Sequence, residues 1–171
     1  MNDVSSRSSA SDAGGRPWTP RLDFEAAAPS FASAMAALGR TAEAEADRAG
    51  LSQSLRELVR LRASQLNGCA YCIDMHSKDA RSAGESDQRL DALPAWREAP
   101  FFSEREEAAL ELAEAITLCA QGHVPEPVWA TAARVFSAGE LAALVSVVVT
   151  VNAWNHLGVA THAWLPGSYS P

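Results

Sequence analysis

The chain has 171 residues, of which 47% are hydrophobic, and a net charge of -7 at neutral pH. One hydrophobic core commonly serves about 100 to 200 residues, so this composition predicts a single domain. An acidic surface is not attracted to phosphate groups, which argues against nucleic acids and anionic membranes as partners.

The first twenty residues are rich in Ser, Gly, Asp and Pro and offer almost nothing to bury. Ordering such a segment costs entropy without compensation, so we expect residues 1–20 to be a disordered tail and residues 21–171 to form the domain. The tail lacks the apolar run of a secretory signal, which predicts a cytoplasmic protein. Because the cytoplasm keeps structural thiols reduced, three cysteines do not predict a disulfide scaffold.

Helical periodicity begins at Ser30, where Phe31, Met35 and Leu38 share one face, and the pattern predicts a helix that ends at Gly39. A second short helix is expected over residues 41–50. Ser52 or Ser54 can cap the next helix. That helix carries an apolar stripe formed by Leu55, Leu58, Val59 and Leu66.

The remaining helices are predicted from caps and breakers. One helix should run from near Cys69 to Gly84, and a short one over 87–93 should stop at Pro94, followed by a connection over 94–102. Another helix is expected after Pro125. Capping-box patterns open two more helices, at Ser103 with Glu106 and at Ser137 with Glu140.

The most apolar stretch of the chain follows the second capping box. Residues 145–151 are rich in Val, but they have no partner strand elsewhere and lie inside a long periodic run, so the prediction is an all-α fold. Polar residues interrupt the stretch before it reaches the roughly 20 residues of a bilayer span, which favours a buried helix. Its apolar face over 141–160 is broader than one small domain needs, which predicts a homo-oligomer.

The residues that carry chemistry lie at the start of the predicted helix near Cys69. At about 100° per residue, Cys69, Cys72 and His76 project from one face. Unpaired N–H groups at a helix N-terminus stabilise a thiolate, the reactive form of cysteine. His76 is one turn after Cys72 and can accept its proton, so we predict Cys72 as the nucleophile and Cys69 as its resolving partner.

Other interpretations of these residues stay open at this point. The two cysteines could be buried small hydrophobes, or they could bind structural zinc together with His76 or His123. A thioredoxin fold is not indicated, because the segment before the motif is helical rather than a strand. By spacing alone, Glu57 is the third residue of a capping box opened by Ser54.

Several further residues attract attention without predicting a site. Cys119 is expected to be a buried small residue. The polar cluster of Asn152, Asn155 and His156 either lines a pocket or supports helix packing by hydrogen bonds. Large aromatic side chains more often pack cores or interfaces, so no site role is predicted for Trp96, Trp129, Trp154 and Trp164.

The run ELVRLRASQLNGCAYCIDMHSKDAR resembles the alkylhydroperoxidase D-like (AhpD-like) branch of the carboxymuconolactone decarboxylase superfamily. The shared signature is a glutamate, eleven residues, Cys-x-x-Cys, three residues and a histidine. In this chain it is formed by Glu57, Cys69, Cys72 and His76. The resemblance extends over about residues 20 to 165.

This resemblance implies an AhpD-like helical bundle, assembled as trimers or hexamers, with a dimer as the smaller alternative. It also implies a peroxidase in which Cys72 attacks the peroxide, while Glu57 and His76 relay its proton. An external dithiol reductant would restore the cysteines, with no cofactor and no metal. The best-known peroxidases of this type carry a histidine between the cysteines, where this chain has Ala70 and Tyr71.

Three other functions remain as alternatives. The dithiol could serve thiol-disulfide exchange or redox sensing, or the domain could be a non-catalytic metal-binding module. A lactone-processing enzyme is the third alternative, and the cysteine pair argues against it, since decarboxylases of the superfamily generally lack that pair.

Overall fold

The computed structural model describes residues 17–171, and within this range it contains nine α-helices, one 3-10 helix and no strand. The all-α prediction is therefore confirmed. The predicted tail over 1–20 falls mostly on residues 1–16, which lie outside the described range. The α-helices are α1 (Phe24–Ala27), α2 (Pro29–Arg48), α3 (Gln53–Asn67), α4 (Ala70–Ser82), α5 (Asp87–Ala92), α6 (Glu104–Thr117), α7 (Cys119–Gly122), α8 (Glu126–Val135) and α9 (Ala138–Thr161).

Most of these helices begin where the sequence supplies a cap. Ser52 caps α3 by accepting a hydrogen bond from the Leu55 N–H. Both predicted capping boxes are present, at the starts of α6 and α9. These local signals determine the helix starts because a serine oxygen replaces the missing intrahelical partner of an N–H group.

The prediction that a helix ends at Gly39 is wrong, because α2 continues without a break to Arg48. A glycine inside a helix costs about 1 kcal/mol relative to alanine, and here it allows a close approach of another helix. A Cβ atom at position 39 would lie 3.7 Å from Nε1 of Trp154 on α9. The predicted apolar face is also only partly buried, since Met35 is buried whereas Phe31 and Leu38 are exposed.

Pro94 does not stop helical structure, contrary to the prediction. A 3-10 helix spans Leu93–Glu98, with the proline in its first turn, where a missing N–H group removes no hydrogen bond. Leu93 and Trp96 of this segment are buried. The predicted connection over 94–102 therefore begins as a packed helical turn.

Helix α3 lies at the centre of the fold and packs against α4, α6 and α9. One core cluster joins α3, α6, α8 and α9, and a second joins α3 to α4, α5, α6 and the 3-10 helix. Helix α9 is long and apolar enough to cross a membrane by length and composition alone. It packs against α2, α3 and α6 inside the domain, as the prediction of a buried helix requires. The fully buried core side chains of the domain include Leu58, Leu61, Leu110, Leu112, Leu144 and Val148.

Candidate active site

The candidate site is built on the turn between α3 and α4. Gly68 ends α3 with a φ of 67°, a left-handed conformation that glycine adopts without strain. The Cys69 N–H then donates to the Ser64 carbonyl oxygen at 3.1 Å. The chain reverses within two residues, so α4 packs along α3 and brings residues of both helices together.

Both cysteines of the motif lie at the start of α4. Cys69 is its N-cap residue, and Cys72 lies in the first turn. The two are joined by a disulfide with 5.3 Å between their Cα atoms, and each is only 2% exposed. The backbone N–H groups of this first turn have no intrahelical partners and would stabilise a thiolate after reduction.

Glu57 and His76 form a buried pair beside the cysteines. His76 Nδ1 lies 2.9 Å from Glu57 Oε2, and Arg60 donates to Glu57 Oε1 at 2.5 Å. A carboxylate oxygen accepts hydrogen bonds, so Nδ1 of His76 is the donor to Glu57. The other nitrogen, Nε2, is then free to accept a proton from a thiol.

The capping-box interpretation of Glu57 is wrong. Ser52 caps α3, and the hydroxyl of Ser54 instead donates to the Glu85 carboxylate. Glu57 is 3% exposed, whereas the glutamate of a capping box usually lies at the surface near its cap. Its partner His76 lies on the neighbouring helix α4, so spacing along α3 could not identify that partner.

Arg60 connects this pair to a neighbouring acid. It forms ion pairs with Glu57 and with Glu43 of α2. Burial lowers the pKa of Arg60 to about 10, and the nearby Asp79 carboxylate opposes this effect. Arg60 therefore keeps its positive charge at neutral pH and is paired with two carboxylates.

Two residues that sequence analysis missed complete the polar side of the site. Asp79 of α4 lies next to the pair, with potential ligand atoms of Glu57, His76 and Asp79 within 4.8 Å of one another. The Tyr169 hydroxyl donates to Asp79 Oδ1 at 2.7 Å, and this bond raises the Tyr169 pKa to about 12. The spacing of Asp79, one turn after His76 on the same helix, could have indicated that it lies near the pair. Nothing in the sequence indicates that Tyr169 contacts Asp79.

A zinc site formed by the two cysteines together with His123 is not assembled. His123 lies in an open groove with Arg97, Glu111 and Glu114, apart from the cysteines. Within residues 17–171, the group of three potential metal ligands found close together contains no cysteine.

A cavity of about 380 Å³ opens onto Cys72 and His76. Trp154 and Trp164, for which the sequence predicted no site role, form part of its wall. Their indole rings pack edge to face with 5.8 Å between the ring centroids, and the Tyr71 ring packs on Trp164 with 5.6 Å between the centroids. The remaining lining residues are Glu25, Gly39, Glu43, Arg60, Met75, Val147, Thr150 and Val151.

The two cysteines face different surroundings. Cys72 lines the cavity, whereas Cys69 is not among its lining residues. Gly158 of α9 instead lies so close to Cys69 that a Cβ atom at this glycine would be 3.0 Å from the sulfur. Of the two cysteines, Cys72 is therefore the one that borders the cavity.

The other polar and thiol candidates lie outside this cavity. Asn155 is fully buried, accepts from Asn67 at 2.9 Å and donates to Ser64 at 3.0 Å, which favours its packing role. His156 is exposed. The prediction that Cys119 is buried is wrong: α6 ends at Thr117, so Cys119 opens the short exposed helix α7.

Fold and site together define an all-helical protein with a cysteine pair at a helix N-terminus and a buried Glu–His pair beside it. Residues 30–115, which include all four of these side chains, match the family model described as carboxymuconolactone decarboxylase family. The chain belongs to this family, as an AhpD-like member. The uncharacterized protein YdfG of Bacillus subtilis is 41% identical over 113 residues, which cover 66% of this chain and 77% of YdfG.

Solved structures share the fold. The structure superimposes on Agrobacterium tumefaciens ATU0492 with a TM-score of 0.81 and 32% sequence identity. ATU0492 is a protein of unknown function, described as a candidate antioxidant defence protein AhpD. The match covers 86% of this chain and 99% of that protein. The debrominase Bmp8 is 20% identical with a TM-score of 0.72, covering 83% of this chain and 74% of Bmp8, a likeness of fold alone.

Proposed function

We propose that this protein is a thiol-dependent peroxidase that reduces hydroperoxides with the Cys69–Cys72 dithiol. The observation that carries the proposal is the cavity wall, where the sulfur-bearing Cys72 lies beside His76. Buried Glu57 orients the histidine ring at 2.9 Å. Cys72 as nucleophile, His76 as base and Glu57 as the group that orients the base form the arrangement that activates a cysteine.

In the reduced protein, His76 Nε2 accepts the thiol proton of Cys72, and the resulting thiolate attacks the terminal oxygen of the hydroperoxide. The O–O bond breaks, the alkoxide takes the proton from His76 and leaves as an alcohol, and Cys72 becomes a sulfenic acid. Glu57 stabilises the imidazolium during this step.

The Cys69 thiol then attacks the Cys72 sulfur. The S–S bond forms, the S–O bond breaks, and the hydroxyl leaves as water with the Cys69 proton. The balance is one hydroperoxide and two thiols giving one alcohol, one water and one disulfide. An external dithiol reductant, with no resident cofactor or metal, reduces this disulfide for the next cycle.

The same proposal includes the cytoplasm as the compartment, where such reductants are available. It also includes a homo-oligomer that contacts through the outer face of α9. Val149 and Val159 on that face are 50% and 40% exposed, and His156 lies between them. Light scattering on purified protein should give a multiple of the 18.2 kDa chain mass; a monomer at all concentrations would contradict this part.

The test is an anaerobic thiol count on reduced protein before and after one equivalent of tert-butyl hydroperoxide. Wild type should lose two of its three thiols, and Cys72→Ser should lose none. Cys69→Ser should form a sulfenate at Cys72 that dimedone traps. Cys119→Ser is the matched control and should still lose two thiols.

Thiol-disulfide exchange is the rival that the same protein preparation can test. The reduced protein is mixed separately with the hydroperoxide and with a small disulfide, and the two rate constants are compared. Faster reaction with the disulfide, or no thiol loss with peroxide, would overturn the peroxidase proposal.

A further inference from the structure

The cavity next to Cys72 is much larger than hydrogen peroxide needs. Its volume of about 380 Å³ lies at the scale of small-molecule binding sites, whereas one water-sized molecule occupies about 30 Å³ of liquid. A peroxide without an organic group would leave most of this space to water. The cavity therefore has room to bind an organic group attached to the reacting oxygen atoms.

The walls around that space are aromatic and aliphatic. Trp154 and Trp164 meet edge to face, and Tyr71, which also lines the cavity, packs on Trp164. Val147 and Val151 of α9 continue the apolar wall. Such walls gain contact and exclude water when a ring or a branched hydrocarbon binds against them.

The charged residues of the cavity disfavour an anion. Glu25 and Glu43 both line it, and Arg60 is the cation among its lining residues. Arg60 is already paired with Glu57 and Glu43, so a substrate carboxylate would have to compete with two protein carboxylates for it. Desolvating an anion beside two like charges costs free energy that a neutral molecule does not lose.

We propose that this cavity selects neutral hydroperoxides that carry an aromatic or branched apolar group, and rejects both hydrogen peroxide and hydroperoxides that carry a carboxylate. This inference rests on the proposed function and names its substrate class. The apolar group lies against Trp154 and Trp164, and the O–O bond is presented to Cys72. The alcohol product keeps the apolar group, and the chemical step is the one given above.

A matched pair of substrates tests the charge part of the proposal. Cumene hydroperoxide and its para-carboxylate analogue have the same reacting group and differ in one charge. Reduced protein is mixed with each of them and with hydrogen peroxide, and the second-order rate constant of thiol loss is measured. Each rate constant is divided by the rate constant of the same peroxide with free dithiothreitol, which corrects for the intrinsic reactivity of that peroxide. We expect cumene hydroperoxide to exceed both other substrates by at least about tenfold, a discrimination within reach of a binding pocket.

Variants then test the residues. Trp154→Ala should lower the ratio of the cumene hydroperoxide rate to the hydrogen peroxide rate by several-fold, and Trp129→Ala is the matched control. Trp129 lies on α8 and is 41% exposed, away from the cavity lining. Glu43→Gln removes one cavity charge and loosens Arg60, so it should raise the relative rate of the carboxylate analogue.

The outcomes separate the two proposals. Equal normalised rates for all three peroxides, or unchanged ratios in Trp154→Ala and Glu43→Gln, would overturn the substrate selectivity and leave the peroxidase proposal intact. No thiol loss with any peroxide would overturn the peroxidase function itself.

Discussion

Replacing Gly158 by alanine should fail to stabilise the oxidised protein, although the same change inside a helix is normally stabilising. Removing a glycine from a helix interior gains about 1 kcal/mol. The added Cβ atom would lie 3.0 Å from the Cys69 sulfur and 3.4 Å from the Trp164 ring. Overpacking of this kind costs about 1–3 kcal/mol, so the expected net effect runs from near zero to about 2 kcal/mol of lost stability.

Gly39→Ala is the matched control. Gly39 is also inside a long helix, but its added Cβ would make an ordinary contact at 3.7 Å. Gly39→Ala should gain most of the roughly 1 kcal/mol that alanine has over glycine in a helix. The two variants should therefore differ in free energy of unfolding by about 1–3 kcal/mol. Each kcal/mol corresponds to about 2–4 °C in melting temperature for a domain of this size.

The assay is thermal unfolding followed by circular dichroism, on oxidised protein and again after reduction of the disulfide. Reduction frees the Cys69 side chain to rotate away from α9, so the deficit of Gly158→Ala should shrink. If Gly158→Ala stabilises the oxidised protein as much as Gly39→Ala does, the proposed close packing of Cys69 against α9 is refuted.

Three further results are expected. Glu57→Gln should slow peroxide-driven thiol loss about 100-fold, the usual scale for general base catalysis, with unchanged circular dichroism; an unchanged rate would exclude its role in orienting His76. Hydrogen bonds from Ser137 lower the pKa of Glu140 from 4.5 to about 2, with help from Arg105, so its stabilisation is complete above about pH 4.5 and is lost as pH falls toward 2. Urea unfolding of Glu140→Gln should therefore differ from wild type at pH 7 and match it near pH 2, and an equal difference at both would contradict this. The chain has two tyrosines whose pKa values are both raised above 10, chiefly by burial in one and by the Asp79 hydrogen bond in the other, so spectrophotometric titration should show no tyrosinate half-point at or below pH 10.

Local signals in the sequence were sufficient for most of the helix starts. Ser103 and Ser137 each sit three residues before a glutamate, and both form the predicted boxes. The glycine at position 39 misled the prediction because a helix end and a close helix contact both favour glycine. Pro94 misled it in the same way, since proline is tolerated in the first turn of a new helical segment.

The sequence by itself determined the parts of the site that depend on spacing along one helix. Cys72 and His76 share a face of α4 because of the helical repeat, and Gly68 places the two cysteines at the start of that helix. The family signature added Glu57, whose partner lies on another helix and is invisible to periodicity.

Only the tertiary structure decided what surrounds those residues. It turned Cys72 toward the cavity and Cys69 toward Gly158, and it brought Trp164 and Tyr169 from the end of the chain onto the site. These contacts join residues about 90 positions apart, where no local repeat relates one side chain to another. They depend on how α9 and the C-terminal segment pack against α4, and packing is a property of the whole core.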